Sequence, residues 1–284
     1  DASIGATNDS HEPDESDFAI SGVTMSGFTG DANNVGASGS LSDLDGIDFH
    51  AGVFVYTGGD SGAPITTTGT IDDVTINGLG FAGGNGTESS GLYFGGFSEE
   101  SGGNNFAQQV TATNVTIQNG LGRGIFARGG LTDATVTQST VSNMAQQSSG
   151  DLAISVKLEN GGGLTLTESF VRGPSSVNGS AGPIIDANNS NAGSGLSPIR
   201  LTVTNTLIER NIGTVDLFRA DQGAAPAFTA NLSGNAFVDE NGDLLATGSA
   251  VLAEISATQQ PDISPLLNST ADTDGTTPGV TPGF

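Results

Sequence analysis

Apolar residues in this chain come in short alternating runs, none longer than a strand. One recurring unit sets a polar residue, a small or β-branched pair, an aliphatic and a polar or glycine corner in that order. It appears as GVTMSG (22–27), DVTING (73–78), NVTIQN (114–119), QSTVSN (138–143), ESFVRG (168–173), NTLIER (205–210) and NAFVDE (235–240). A second unit follows most of these: GIDF (46–49), GLYF (91–94), GIFA (124–127), LAISV (152–156), PIIDA (183–187) and TVDLF (214–218). Runs this short, rich in Val, Ile, Thr and Phe and bounded by Gly and Asn, predict strands. No convincing amphipathic helix interrupts them, which excludes a βαβ sheet, because its crossovers need helices.

With Ile47, Leu92, Ile125, Ile154, Ile184 and Val215 taken as equivalent, the second unit recurs at steps of 45, 33, 29, 30 and 31 residues. The evenness of the last four steps predicts a solenoid. One short unit cannot bury its own apolar side chains, but units stacked along an axis share a continuous core. Inward aliphatics then form files, and corner asparagines form hydrogen-bonded ladders. The expected divisions are an irregular acidic segment over 1–17, the coil over 18–250, and a closing segment with a Pro- and Thr-rich tail over 251–284.

The segments NVTIQNGLGRGIF, DVTINGLGF with GLYF, and LTVTNTLIERN resemble right-handed parallel β-helix proteins built from pectate-lyase-type repeats. The resemblance covers residues 18–245 and implies an all-β, single-stranded right-handed parallel β-helix of seven to eight turns. It specifies architecture much better than activity. Residues 1–17 lack the amphipathic capping helix common in such coils, so the expected first turn presents strand edges to flanking loops or to another copy.

Composition narrows the partners. Seven Lys and Arg against 31 Asp and Glu give a net charge of −24. That field repels nucleic acid and anionic membranes. There is no cysteine, which excludes disulfide scaffolds, Cys-ligated zinc and Cys nucleophiles. No apolar run approaches a membrane span. The expected localisation is secreted or cell-surface.

Candidate chemistry follows from aligning the second units. Alternate strand residues share a face, so, with the fifth unit shifted from Ile184 to Ile185, one outer file is expected to read Asp48, Tyr93, Phe126, Ser155, Asp186, Asp216. The file two residues on reads His50, Gly95, Arg128, Lys157, Asn188, Phe218. Arg128 and Lys157 are thereby expected on neighbouring turns, with Asp186 one turn further. Polysaccharide lyases of the resembled fold use such a face. There, Arg or Lys neutralises a uronate carboxylate, a base removes the α proton, and Ca²⁺ assists. The resemblance thus implies Lys157, Arg128 and Asp186 as catalytic candidates, with Tyr93, His50, Asp48 and Asp216 as binding candidates. Hydrolysis by Asp186 and Asp216 fits less well, because the segments that mark polygalacturonases are missing. GGDSGAP (58–64) looks like a serine-protease nucleophile loop but has no suitable histidine partner.

Calcium is the expected ion. DENGD sets Asp239, Asn241 and Asp243 at alternate positions, as in the opening of a calcium loop, and DTDG offers Asp272 and Asp274. Without a full catalytic set, with few aromatics for sugar and an uncapped end, the expected function is a structural or adhesive coil that self-associates end to end. A polysaccharide lyase or carbohydrate-binding coil, and a phage fibre domain, are the alternatives.

Overall fold

The computed structural model describes residues 2–6, 15–26, 29–30, 49–57, 65–78, 80–81, 88–96, 106–120, 122–129, 132–145, 153–159, 161–175, 183–188, 199–211, 218–221, 229–233, 235–239 and 241. These residues form three seven-stranded sheets, parallel throughout, and contain no helix. The first sheet stacks Ala2–Ala6, Phe49–Thr57, Glu88–Gly96, Arg123–Arg128, Ile154–Glu159, Ile185–Asn188 and Phe218–Asp221 in chain order. The second stacks Glu15–Ser21, Ile65–Asp72, Phe106–Thr113, Thr132–Thr137, Gly163–Thr167, Arg200–Thr204 and Thr229–Ser233. The third stacks Thr24–Ser26, Thr75–Asn77, Thr116–Gln118, Thr140–Ser142, Phe170–Arg172, Leu207–Glu209 and Ala236–Val238. A small fourth sheet pairs Thr29–Gly30 with Gly80–Phe81. The chain visits first, second and third sheet in turn, so the molecule is an all-β, solenoid-like stack.

The sequence units have places in that cycle. The polar-cornered unit makes the corner and strand of the third sheet. Leu92, Ile125, Ile154 and Ile185 of the second unit lie in the first sheet, where Leu92 is level with Val53 and Ile185 with Phe218, the positions expected for Ile47 and Val215. Between the second and third sheets one residue turns the chain with positive φ. These residues are Gly22, Asp73, Asn114, Gln138, Glu168 and Asn205, with φ of 66°, 53°, 54°, 50°, 49° and 51°. For a residue with a Cβ this left-handed conformation costs roughly 1–2 kcal/mol. Contacts between layers offset it. The Asn114 amide donates to Asp73 Oδ1, and the Gln138 amide to Glu168 Oε2 at 3.2 Å.

The next residue points inward and changes chemistry along the stack, from Val74 and Val115 to Ser139, Ser169, Thr206 and Asn235, all buried. The polar members form a ladder. Ser139 Oγ accepts the Val115 N–H at 3.0 Å, Ser169 Oγ accepts the Ser139 N–H at 3.1 Å, and Asn235 Oδ1 accepts the Thr206 N–H at 3.0 Å. Ser139 and Ser169 also donate to the carbonyls of Thr137 and Thr167, each at 2.7 Å. Buried polar atoms are tolerated because they are paired in this way.

The core comprises files of aliphatics from all three sheets, such as Leu92, Ile125, Val156 and Ile185 from the first, Val136, Leu166 and Val203 from the second, and Ile76, Ile117 and Val141 from the third. Gly91 and Gly124 let the third sheet approach. A Cβ on Gly91 would stand 2.8 Å from the Gly124 carbonyl oxygen and collide with Ile117.

Two expectations are corrected. The segment 1–17 is not irregular throughout, because Ala2–Ala6 pairs with Val53–Thr57 and Glu15–Ser21 pairs with Thr66–Asp72, while residues 1 and 7–14 lie outside the described residues. In the first sheet Ile125 stands level with Val156, while Ile154 stands level with Arg123. Ile47, Val215 and residues 58–64 and 251–284 lie outside the described residues.

Candidate functional site

The first sheet gathers most of the chemistry expected of the chain. Its register aligns Phe54, Tyr93, Phe126, Lys157, Asp186 and Arg219 in one row. Alternation puts this row on the face opposite the core file, yet Tyr93, Phe126, Lys157 and Asp186 are all buried. The aromatic part is a stack. The Phe54 and Tyr93 rings lie 4.7 Å apart at 18°, and Tyr93 meets Phe126 edge-on at 5.3 Å. The Arg123 guanidinium carbon sits 4.4 Å from the Phe126 ring centroid, a cation–π distance.

Where the aromatics end, the row becomes ionic. Lys157 Nζ donates to Asp186 Oδ2 at 2.8 Å, with the side chains 7% and 0% exposed. Two charges at such burial are kept only when paired. Tyr93, Phe126 and Asp186 share one row as expected, but Lys157 occupies the place assigned to Ser155. Arg128 therefore does not stand level with Lys157. It pairs with Glu159, one strand along, at 3.9 Å between Nε and Oε2. Among the described side chains of this face, Lys157 is thus matched by Asp186, Arg128 by Glu159, and Arg123 by an aromatic face.

The other candidates are dispersed. His50 belongs to Phe49–Thr57 and stands level with Ser89, not with Arg128. Asp48, Asp216, Asp243, Asp272 and Asp274 lie outside the described residues. Asn241 closes a turn onto Asp239, its backbone N–H donating to Oδ1 at 2.8 Å and its amide to Oδ2 at 3.4 Å. Among the described residues no group of three or more His, Asp or Glu side chains is placed to hold a metal ion.

The outer face of the second sheet is different, and the repeat pattern alone did not single it out. Register aligns Thr70, Thr111, Thr135, Thr165 and Thr202 in a rank of five consecutive layers. Two residues along each strand a second rank aligns Thr113, Thr137, Thr167 and Thr204. All nine are exposed or partly exposed. Thr204 Oγ1 donates to Thr167 Oγ1 at 3.0 Å, whereas the five hydroxyls of the first rank have no hydrogen-bond partner among the described residues. The signal was present as TAT (111–113), TVT (135–137), TLT (165–167) and TVT (202–204), each just before a corner.

Beside the ranks runs a mixed row, Asp17, Thr68, Gln109, Asp133, Gly163 and Arg200. Arg200 reaches across the glycine to Asp133, 3.1 Å away, and to the Thr132 carbonyl at 3.0 Å. A Cβ at Gly163 would stand 2.7 Å from the guanidinium, so only glycine leaves that path open. Asp17, Thr68, Gln109 and Asp133 border a shallow groove of about 590 Å³ that opens onto Thr70, Thr111 and Thr135. A second groove of about 250 Å³ lies between Asp133, Arg200, Thr165 and Thr202.

Comparisons with protein-family models, with curated proteins and with solved structures each find no match.

Proposed function

We propose that this chain is a non-catalytic adhesive or structural protein of the cell exterior, built as a right-handed parallel β-helix of seven to eight turns. Seven strands per sheet support the turn number, and parallel crossovers are almost always right-handed. The observation that carries the functional reading is the contrast between the two faces. The Lys157–Asp186 pair of the first sheet is buried and matched, whereas the second sheet offers an open, regular, hydroxyl-bearing surface. Regular surfaces of this kind bind by many weak contacts in parallel, which suits attachment better than turnover. Assembly through the strands that end each sheet among the described residues fits the same role, since unpaired parallel edges are templates for another chain.

A uronate lyase is the second reading. It is favoured by one observation, the adjacency of Lys157 and Asp186 in the row where the resembled fold carries out its chemistry. It requires that a substrate reach a pair that is now buried. Incubation with alginate, pectate and other uronates, with calcium present, separates the two. The adhesive reading predicts no ultraviolet absorbance from unsaturated uronate ends. A signal lost in Lys157→Ala establishes the lyase instead.

A further inference from the structure

We propose that the threonine ranks of the second sheet bind the surface of ice. The inference rests on the adhesive reading above and names what its open face contacts. The sheet fixes the lattice of the ranks. Neighbouring strands repeat at about 4.8 Å, and positions two residues apart on a strand at about 6.7 Å. The first rank covers five layers, hence roughly 19 Å along the stack. An array periodic in two directions has no use against an irregular protein surface. It matches a partner that is itself periodic in two directions on that scale, as the oxygen layers on the prism faces of ice are.

The side chains suit this partner. Threonine carries a methyl and a hydroxyl on one branched carbon, and branching at Cβ leaves few χ1 states. The array is stiff before contact and loses little side-chain entropy on binding. The first-rank hydroxyls have no internal partner among the described residues, so each keeps a donor and an acceptor for lattice water. The first rank is also matched in charge. Ice is a neutral ligand, and in a chain of net charge −24 the rank from Ala19 through the five threonines to Asn231 carries no ionisable group. Beside it Asp133 and Arg200 neutralise each other, and the second rank gives way to a carboxylate at Asp72, level with Thr113.

Strand propensity does not account for the pattern. Threonine favours exposed strand positions in general, but the adjoining row of the same strands is mixed. The corresponding row of the third sheet runs Thr24, Thr75, Thr116 and Thr140 and then becomes Phe170 and Leu207. A crystalline polysaccharide is the competing periodic partner. It is disfavoured because no aromatic side chain stands in either rank to stack on sugar rings.

The test is partition of the full chain into slowly grown ice, scored against an unrelated acidic protein, with the same samples exposed to insoluble cellulose and chitin. The proposal predicts incorporation into ice and none onto either glycan. Thr135→Tyr with Thr165→Tyr breaks the middle of the first rank and is expected to abolish incorporation, with circular dichroism unchanged. Thr116→Tyr with Thr140→Tyr, on the third sheet, is expected to leave it intact. Exclusion of the wild-type chain from ice overturns the proposal, and so does incorporation that survives the second-sheet pair. Retention on a glycan without ice overturns the ligand while leaving the adhesive reading in place. Uronate turnover overturns the adhesive reading itself.

Discussion

The Lys157 ammonium lies 2.8 Å from the Asp186 carboxylate across neighbouring strands of the first sheet, and both side chains are buried. Removing the Asp186 carboxylate takes the hydrogen-bonded counter-charge from a buried ammonium. Asp186→Leu is expected to cost about 3–5 kcal/mol, and the double variant Lys157→Met, Asp186→Leu to recover most of that loss. Thermal and denaturant midpoints of the three proteins check this. A single variant as stable as wild type would show that the pair is solvated.

The inward ladder between the second and third sheets makes a sharper demand. Ser169→Ala leaves the Ser139 N–H without its acceptor inside the stack, a cost of about 1–3 kcal/mol. Ser169→Thr keeps the oxygen and is expected to lose much less. Hydrogen exchange at the Ser139 amide reads the effect locally, faster in the alanine variant and close to wild type in the threonine one.

Glycine at 124 is a matter of space. A Cβ there would stand 2.5 Å from the Ser155 carbonyl oxygen and collide with Val141. Because a backbone atom blocks it, relief requires strand movement, and Gly124→Ala is expected to cost about 1–3 kcal/mol or more. An unchanged melting temperature would mean that Gly124 is less crowded by Ser155 and Val141 than described.

Salt bears on the whole molecule. At a net charge of −24 the folded chain repels itself, and mobile ions screen that repulsion over about 10 Å at 0.1 M ionic strength. The melting temperature is expected to rise from low to high sodium chloride. A fall would give the few ion pairs more weight than the excess of carboxylates.

Much of this fold was legible in the sequence because each layer repeats a local rule: a strand, one left-handed residue, one inward residue, a short strand. Asn114 and Asn205 signal their own corner chemistry. The register at Lys157 was not legible, and the reason is the period of a strand. LAISVKLE can slide by two residues without any side chain changing face, so Ile154 and Val156 are equal choices by alternation. Only the hydrogen-bonded pairing of Phe126 with Lys157 decides between them. Burial of the first sheet's outer row was also hidden, since alternation reports which face a residue is on and not what covers that face. The threonine ranks went unread because Thr serves equally as an ordinary strand former.

Register is the claim on which both faces depend, and an introduced disulfide tests it directly because the chain has no cysteine of its own. Thr135 and Thr165 are paired across adjacent strands, at a separation of about 4.8 Å that a disulfide can span. Thr135→Cys with Thr165→Cys is expected to cross-link within one chain under mild oxidation. Thr135→Cys with Thr167→Cys, displaced by two residues, is expected to remain reduced. A cross-link in the displaced pair and none in the aligned pair would contradict the stack described here.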